Sequence, residues 1–165
     1  MTCSKITEIR PNLYLTGHMW LNEQKLKKHG ITHAVDVDDK EDENLGIYFE
    51  SATDFIKSAI DRGGRVIVYC AAGISRSSSI IIMYLLIHEN FSLKDAYYEV
   101  VSKRHIISPN NGFWRQMIEY EKGKNGESTV TFLEDNRMEI PDVYLNKLKA
   151  IKERDKAYNN HNIYN

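Results

Sequence analysis

The sequence predicts an α/β fold with a central, mostly parallel sheet that is flanked by helices. The segment from Arg65 to Cys70 contains three consecutive β-branched residues, which is typical of a buried strand in a parallel sheet. An amphipathic helix is predicted before this strand, from Phe49 to Ile60, because apolar residues recur there at helical spacing. An almost wholly apolar helix is predicted after it, from Ser77 to Glu89. This alternation of helix and strand is the pattern of an α/β layer fold.

Shorter elements are predicted on the N-terminal side of this unit. Leu13 to Leu15 is typical of a short strand, and Thr32 to Val37 is predicted to be another because Thr and Val favour extended backbone. Between the two strands, Asn22 is predicted to cap a helix from Glu23 to His29, which Gly30 ends.

Two more core helices are predicted after the apolar helix. Ser92 is expected to cap the first of them, with Asp95 as its capping-box partner. Asn110 and Asn111 are expected to cap the second. The apolar residues at helical spacing in the second helix are Phe113, Trp114, Met117 and Ile118.

The composition changes near the C-terminus, where the chain becomes polar. We therefore predict a compact domain over residues 1–121 and a C-terminal extension, partly packed and partly disordered, over residues 122–165. In the extension, Val130 to Leu133 is expected to pair or pack locally, and Pro141 is expected to begin a helix. Residues 158–165 are Asn-rich and are expected to be disordered.

Charge and hydrophobicity exclude several classes of protein. The net charge is −1 with Lys and Arg spread along the chain, so a nucleic-acid-binding surface is not expected. The longest apolar stretch, Ile80 to Ile87, has 8 residues, which is too short for a membrane span of roughly 20 residues. The N-terminus lacks the apolar core of a secretory signal.

Cysteine usage indicates a reducing compartment. The two cysteines, Cys3 and Cys70, do not suggest a disulfide framework, so we expect a cytoplasmic location and leave a nuclear one open. No Cys or His cluster has zinc-ligand spacing, and we expect neither a metal nor an organic cofactor.

The segment from Cys70 to Arg76 is predicted to bind an anion. It joins the buried strand to the apolar helix, so the amides of the loop and the N-terminus of the helix can point toward the same bound anion. Gly73 permits the unusual backbone angles that such a tightly curved loop requires. Electropositive sites lower a cysteine pKa from about 8.5 to roughly 3.5–7.5. We therefore predict that Cys70 is largely ionised at neutral pH. The guanidinium of Arg76 suits bidentate contact with phosphate oxygens.

This C-x5-R loop, with Ser77 after it, resembles the signature of the protein tyrosine phosphatase superfamily. The string Cys-Ala-Ala-Gly-Ile-Ser-Arg-Ser is similar to its dual-specificity branch, and Ile140 to Tyr144 to its small, atypical members. Further segments that match patterns of that branch are Ile31-Thr32, Phe49 to Ile56, Gly63 to Val68 and Ser108 to Trp114. The resemblance implies a phosphatase-like α/β fold, with residues 1–121 as the catalytic domain.

The resemblance also implies roles for individual residues. Cys70 would attack phosphorus to form a cysteinyl-phosphate, Arg76 would bind the equatorial oxygens, and Ser77 would help the thiolate leave. The phosphate-binding residues would be Ala71, Ala72, Gly73, Ile74, Ser75 and Arg76. A helix N-cap is the other interpretation of Ser77, about equally supported.

The family's general acid is an aspartate on an upstream loop. Counting back along the family pattern Asp-x4-Asn-Leu-x3-Phe from Phe49 places it at Asp39, with Asp38 as the alternative. Six of the nine residues from Asp36 to Asn44 are acidic, so a solvated loop without catalytic function is the competing interpretation.

The sequence departs from the family in two places. Tyr69 stands where the family usually has a His, and we expect reduced activity or a raised Cys70 pKa as a result. Too few residues separate His33 from Asp39 for the additional loop and strand that relatives have there, since a strand takes about 5–6 residues. Either Thr32 to Val37 replaces the missing strand, or the sheet is truncated and the acid loop is displaced.

The resemblance implies a protein phosphatase that hydrolyses phosphotyrosine and phosphoserine or phosphothreonine, with phosphoproteins as its partners. The alternative is a catalytically impaired domain that binds phosphoproteins, which Tyr69 and the shortened acid-loop region suggest. Retention of both Cys70 and Arg76 argues against that alternative. The sequence leaves the oligomeric state open.

Overall fold

The apolar strand that ends at Cys70 lies inside a sheet, with a parallel partner on each side. The computed structural model describes residues 6–37, 44–135 and 138–145. The strands of this part of the chain are β1 Thr7–Arg10, β2 Leu13–Gly17, β3 His33–Asp36, β4 Val66–Cys70, β5 Phe132–Asp135 and β6 Met138–Pro141. Its α-helices are α1 Glu23–His29, α2 Phe49–Asp61, α3 Arg76–His88, α4 Leu93–Lys103 and α5 Asn111–Asn125.

The main sheet has the strand order β1-β2-β4-β3. β1 pairs antiparallel with β2, whereas β4 pairs parallel with both β2 and β3, so the predicted mostly parallel sheet is confirmed. The predicted strand, Thr32 to Val37, is longer than β3 by one residue at each end. Asp36, which the sequence analysis also counted in the acidic loop, is the last residue of β3. β1 was not predicted.

The sheet is truncated at the β3 edge. β3 pairs directly with β4, and no other strand in residues 6–37, 44–135 and 138–145 lies on its outer side. A sheet with few strands agrees with the expectation that one strand of the family is missing. The segment that enters the acid loop therefore comes from the strand next to β4.

The two faces of the sheet are covered by different helices. On one face, Tyr14 and Ile67 are buried with Ile6 under the residues around α1, among them Leu26. On the other face lies α3, whose residues from Ser77 to Leu86 are all buried, as predicted for a central helix. α2, α4 and α5 pack around α3.

The predicted helix caps at Asn22, Ser92 and Asn110 are confirmed, and the one at Asn111 is wrong. The side chain of Asn22 accepts the amide of the third residue beyond it at 2.8 Å. The Ser92 hydroxyl accepts the Asp95 amide at 3.1 Å and donates to the Asp95 carboxylate at 2.8 Å, which completes the capping box. Asn110 caps α5 at 2.9 Å, whereas Asn111 is the first helical residue and not a cap.

The C-terminal region begins later than residue 122. The chain divides into two compact units between Thr129 and Val130, and α5 continues past the predicted boundary to Asn125, where Gly126 ends it with a left-handed backbone. In the second unit β5 and β6 form an antiparallel hairpin. Pro141 ends β6 and precedes a short 3-10 turn, Asp142–Tyr144, in place of the predicted α-helix. Residues 158–165 lie outside the described residues.

Glu121 is a buried carboxylate that connects α5 to the start of α4. Its Oε1 accepts the amide of Leu93 at 2.7 Å. Its Oε2 accepts the hydroxyl of Ser128 at 2.8 Å and the amide of Thr129 at 2.7 Å. A buried charge of this kind stabilises a fold only while these hydrogen bonds are intact.

We expect Glu121→Ala to lower the free energy of unfolding by about 3 kcal/mol, because it leaves several buried donors without an acceptor. The matched control is Glu119→Ala on the same helix, where the side chain is 72% exposed and bonds only Lys122. That control should change stability by no more than about 0.5 kcal/mol. Urea denaturation of both variants gives the comparison, and equal losses would contradict the role assigned to Glu121.

Candidate active site

The loop from Ala71 to Ser75 lies between the end of β4 and the start of α3. Gly73 adopts a left-handed backbone with φ of 67°, which a residue with a side chain rarely tolerates. An added Cβ there would also collide with the main chain of Thr16 and Gly17. The loop is therefore pressed against the end of β2, as only a glycine allows.

The carbonyl groups of this loop are held from outside. Each of four carbonyl oxygens accepts a hydrogen bond from a residue beyond the loop. The pairs are Ala71 with the His18 amide at 3.1 Å, Gly73 with the Arg104 Nε at 3.0 Å, Ile74 with the Ser108 amide at 2.9 Å and Ser75 with the Ser79 amide at 3.0 Å. With these oxygens engaged outside, the amide groups of the loop remain for a group bound inside it.

Cys70 lies at the base of the loop and is 3% exposed. Its Sγ accepts the Gly73 amide at 3.2 Å and is 3.1 Å from the Ser77 Oγ. Burial raises the pKa of the Cys70 thiol. Hydrogen bonds from the Ser77 hydroxyl and from the amides of Ser77, Gly73 and Ile74 together lower it by more than burial raises it, so the net pKa lies below its ordinary value. The direction agrees with the prediction for this loop.

Ser77 is a helical residue of α3 and is fully buried, so it is not the N-cap that one interpretation assigned to it. Ser75 occupies the cap position, and its side chain makes no capping hydrogen bond there. The hydroxyl of Ser77 instead contacts the Cys70 sulfur. It can therefore stabilise a thiolate, and its assistance to a leaving sulfur stays a prediction.

Arg76 is the first residue of α3 and is half-buried. One of its terminal nitrogens donates to the Val37 carbonyl oxygen at 3.1 Å. Val37 follows β3, and its own amide donates to the Tyr69 carbonyl at 3.0 Å. The guanidinium is thereby held at the end of the sheet where Cys70 also lies.

The predicted general acid, Asp39, and its alternative, Asp38, lie outside the described residues. The last described residue before them is Val37, whose carbonyl oxygen accepts a hydrogen bond from Arg76. The chain after them is described again from Asn44. The assignment of the acid to Asp39 or Asp38 therefore stays a prediction.

Tyr69 lies on the opposite face of the sheet from Cys70, because successive side chains of a strand alternate. Burial raises its pKa, and so does the negative charge of the Asp36 carboxylate on the neighbouring strand β3. Its ring centroid is 5.9 Å from that of His18. Tyr69 thus lies near Asp36 and His18 on the other side of the sheet, and the net pKa of Cys70 is not raised above its ordinary value.

Arg104 is a residue of this site that sequence reasoning missed. It follows α4, is 4% exposed, and donates from Nε to the Gly73 carbonyl and from another nitrogen to the Thr7 hydroxyl at 3.1 Å. The Gly73 carbonyl and the Ile74 amide belong to one planar peptide group, so holding the first turns the second toward the Cys70 sulfur. One arginine near the end of a polar helix gives no sequence signal of such burial.

Within residues 6–37, 44–135 and 138–145, no group of three or more His, Cys, Asp or Glu side chains could hold a metal ion. Nor does any helix of that part of the chain combine the length and the apolar character that crossing a bilayer requires.

Comparison with known proteins gives consistent matches. The family model described as dual specificity phosphatase, catalytic domain, matches residues 3–123. Human dual specificity protein phosphatase 14 is 43% identical over 100 residues, which cover 61% of this chain and 50% of that protein. Human dual specificity protein phosphatase 21 is 39% identical over 117 residues, which cover 71% of this chain and 62% of that protein. The chain thus spans about half to three-fifths of the length of these relatives.

A similar solved structure is that of human tyrosine phosphatase-like serine/threonine/tyrosine-interacting protein. It has a TM-score of 0.68 and 30% sequence identity, and the match covers 73% of this chain and 98% of that one. This likeness confirms the predicted class of fold.

We expect Ser77→Ala to raise the Cys70 pKa by about one to two units, because a hydrogen bond to a charged group contributes about 1.5–3 kcal/mol and one unit corresponds to about 1.36 kcal/mol. The pH dependence of iodoacetamide alkylation measures this pKa. Ser102→Ala, at an exposed hydroxyl bonded only to the main chain, is the control and should leave the profile unchanged. An unchanged profile for Ser77→Ala would show that the hydroxyl does not stabilise the thiolate.

We expect Arg104→Gln to raise the Cys70 pKa as well, because the Gly73–Ile74 peptide group loses the donor that orients it. The alkylation profile should move to higher pH by roughly half a unit or more. Arg62→Gln, on an exposed residue at the end of α2, is the control. If Arg104→Gln lowers stability but leaves the alkylation profile in place, Arg104 has only a structural role.

Proposed function

This chain belongs to the dual specificity phosphatase catalytic domain family, and we propose that it is a cysteine-dependent protein phosphatase. Its substrates would be phosphotyrosine and phosphoserine or phosphothreonine residues of proteins. The observation that supports this most directly is the Cys70 sulfur, whose pKa is lowered by the Ser77 hydroxyl and the loop amides against the effect of burial.

In the first step, the Cys70 thiolate attacks the phosphorus atom in line with the ester oxygen. The S–P bond forms and the P–O bond to the substrate breaks, while Asp39, or Asp38, donates a proton to the departing oxygen. The equatorial phosphate oxygens are bound by the amides of residues 71–76 and by the Arg76 guanidinium. These donors are in place beforehand because the loop carbonyls are held from outside.

In the second step, water attacks the cysteinyl-phosphate. The same aspartate accepts a proton from the water, the S–P bond breaks, and inorganic phosphate leaves. The Ser77 hydroxyl, 3.1 Å from Sγ, donates to the sulfur as it regains its negative charge. The enzyme returns to its starting state with no net gain or loss of protons by these groups.

The alternative, a phosphoprotein-binding domain without turnover, is not favoured. The family match supports an enzyme, and the net pKa of Cys70 lies below its ordinary value although Tyr69, which suggested impairment, precedes it. The reactive cysteine requires a reducing environment, which supports a cytoplasmic location as part of this proposal.

We expect the wild-type protein to hydrolyse para-nitrophenyl phosphate and Cys70→Ser to reduce kcat by at least about 1,000-fold, since the nucleophile is lost. Arg76→Lys should reduce it by roughly 100-fold, because a point charge replaces the planar fork. Tungstate and vanadate, which resemble phosphate, should inhibit competitively.

Cys3→Ser is the matched control for the other cysteine and should retain wild-type turnover. Full activity of Cys70→Ser would exclude the proposed mechanism. Absence of wild-type turnover, combined with phosphopeptide binding that Arg76→Ala removes, would establish the binding domain instead.

A further inference from the structure

A second cavity lies near the residue that precedes β4, and we call it the basic cavity. It has a volume of about 450 Å³, which is in the range of small-ligand sites. Its charged and aromatic lining residues come from β1, β2, the ends of α1 and α4 and the start of β4: Glu8, Tyr14, Lys28, His29, Arg65 and Lys103. Because these residues are far apart in the sequence, it is the fold that brings the cations together.

The basic cavity is positively charged at neutral pH. Its lining has three lysine or arginine cations and one carboxylate, which gives a net formal charge of +2 when His29 is neutral. Within the described part of the chain, no ion pair involves Lys28, Arg65 or Lys103. A concave surface that carries cations concentrates the electrostatic potential and attracts anions.

The guanidinium of Arg65 is held at the basic cavity without a carboxylate partner. Its Cζ lies 5.6 Å from the centroid of the buried Tyr14 ring. Gly30 leaves room for it, since a Cβ added there would lie 3.3 Å from one of its terminal nitrogens. The Arg65 Nε is buried and has no hydrogen-bond acceptor among the described residues. A buried donor without an acceptor is unfavourable, and an anion beside this planar group supplies acceptor oxygens.

We propose that the basic cavity binds the phosphate group of a small, soluble phosphate monoester. At neutral pH such a group carries a charge of about −1.5 to −2, which matches the charge of the lining, whereas a carboxylate carries only one charge. Arg65 binds two phosphate oxygens through its planar fork, and Lys28 and Lys103 neutralise the remaining charge. The cavity is larger than a phosphate group and accommodates the organic part of the ligand.

The basic cavity is separate from the catalytic loop. Arg65 precedes the first residue of β4, and Cys70 is the last. Because a strand rises about 3.3 Å per residue, the two residues are about 16 Å apart along β4. None of the residues from Cys70 to Arg76 lines the basic cavity. Both sites can therefore be occupied at the same time, and the inference does not depend on the proposed function.

The surface of the described residues favours a soluble ligand over the headgroup of a membrane lipid. Peripheral binding to a membrane combines basic residues with exposed apolar side chains that insert into the lipid. None of the large apolar side chains that are exposed in the described part of the chain lines the basic cavity. These side chains are Met19, Ile47, Tyr48, Phe55, Tyr98, Leu133 and Leu145. The basic cavity thus has the charge for a phosphate without the apolar contacts for a bilayer.

The first experiment records ¹H–¹⁵N NMR spectra of the wild-type chain during a titration with inorganic phosphate. Amide signals of residues 28–30, 65 and 103 should shift with a dissociation constant of their own, separate from any shifts of residues 70–76. Sodium chloride at the same ionic strength should leave the signals of the basic cavity unchanged. Equal shifts with chloride, or phosphate shifts confined to residues 70–76, would overturn the proposal.

The second experiment measures the same dissociation constant in variants that remove a cation. Arg65→Gln should weaken phosphate binding at least about tenfold, because it removes a pair of charge-assisted hydrogen bonds. Lys103→Gln should weaken it about threefold, as expected for an exposed charge. The matched control is Lys122→Gln, at an exposed lysine in the last turn of α5, which should leave the constant unchanged. Equal effects of Lys103→Gln and Lys122→Gln, with no larger effect of Arg65→Gln, would contradict a specific site.

Glu8→Gln tests the basic cavity by a gain of affinity. It removes the one carboxylate of the lining, so phosphate should bind about threefold more tightly. Unfolding cannot produce such a gain, and the result therefore decides the question if Arg65→Gln does not fold. Unchanged or weaker binding in Glu8→Gln would overturn the proposal.

The third experiment identifies the source of the phosphate group. Glycerol 3-phosphate is titrated into the wild-type chain after Cys70 has been alkylated with iodoacetamide, so that turnover cannot consume the ligand. It should shift the same signals of the basic cavity as inorganic phosphate does. Vesicles of phosphatidylcholine and phosphatidic acid provide the comparison. Vesicle binding that Arg65→Gln abolishes, without a response to glycerol 3-phosphate, would assign the site to a lipid headgroup and overturn the soluble ligand.

Discussion

The active-site loop depends on where its carbonyl oxygens are bonded. A short loop has one carbonyl for each amide, and a bound anion tolerates only the amides nearby. Here the oxygens are engaged by the end of β2, by Arg104 after α4, by the segment before α5 and by α3 itself. The loop geometry is therefore held by bonds outside the position where an anion would bind. Donors fixed in this way need no rearrangement when charge moves from sulfur to phosphate.

This constraint explains which parts of the site the sequence could predict. Cys70, Gly73 and Arg76 fall within one loop, so their spacing fixes their neighbourhood, and local rules also predicted the caps at Asn22, Ser92 and Asn110. Arg104 could not be predicted, because it meets Gly73 across 31 positions of sequence. β1 was missed for a different, local reason, since its pairing with β2 involves a tight connection and a register shift between Glu8 and Arg10.

Element boundaries were less predictable than element types. Ser77 looked like a cap because serine precedes many helices, but α3 begins earlier, where Arg76 is already helical. Pro141 suggested a helix start, since its fixed φ suits that position, but pairing with Phe132 makes it the last residue of a strand. Long-range pairing overrode the local preference in the second case.

The edge position of β3 in the described sheet and the Tyr69 replacement are connected. Because β3 pairs directly with β4 and is the edge of the described sheet, Asp36 is the neighbour of Tyr69 across the strands, and its carboxylate raises the Tyr69 pKa. The main-chain bond from the Val37 amide to the Tyr69 carbonyl holds the C-terminal end of β3 to the strand that leads to Cys70. The same end of β3 continues to Val37, which holds Arg76. An edge strand of four residues has few hydrogen bonds of its own, so the bond from Val37 to Tyr69 and the bond from Arg76 to Val37 keep the phosphate-binding guanidinium in position.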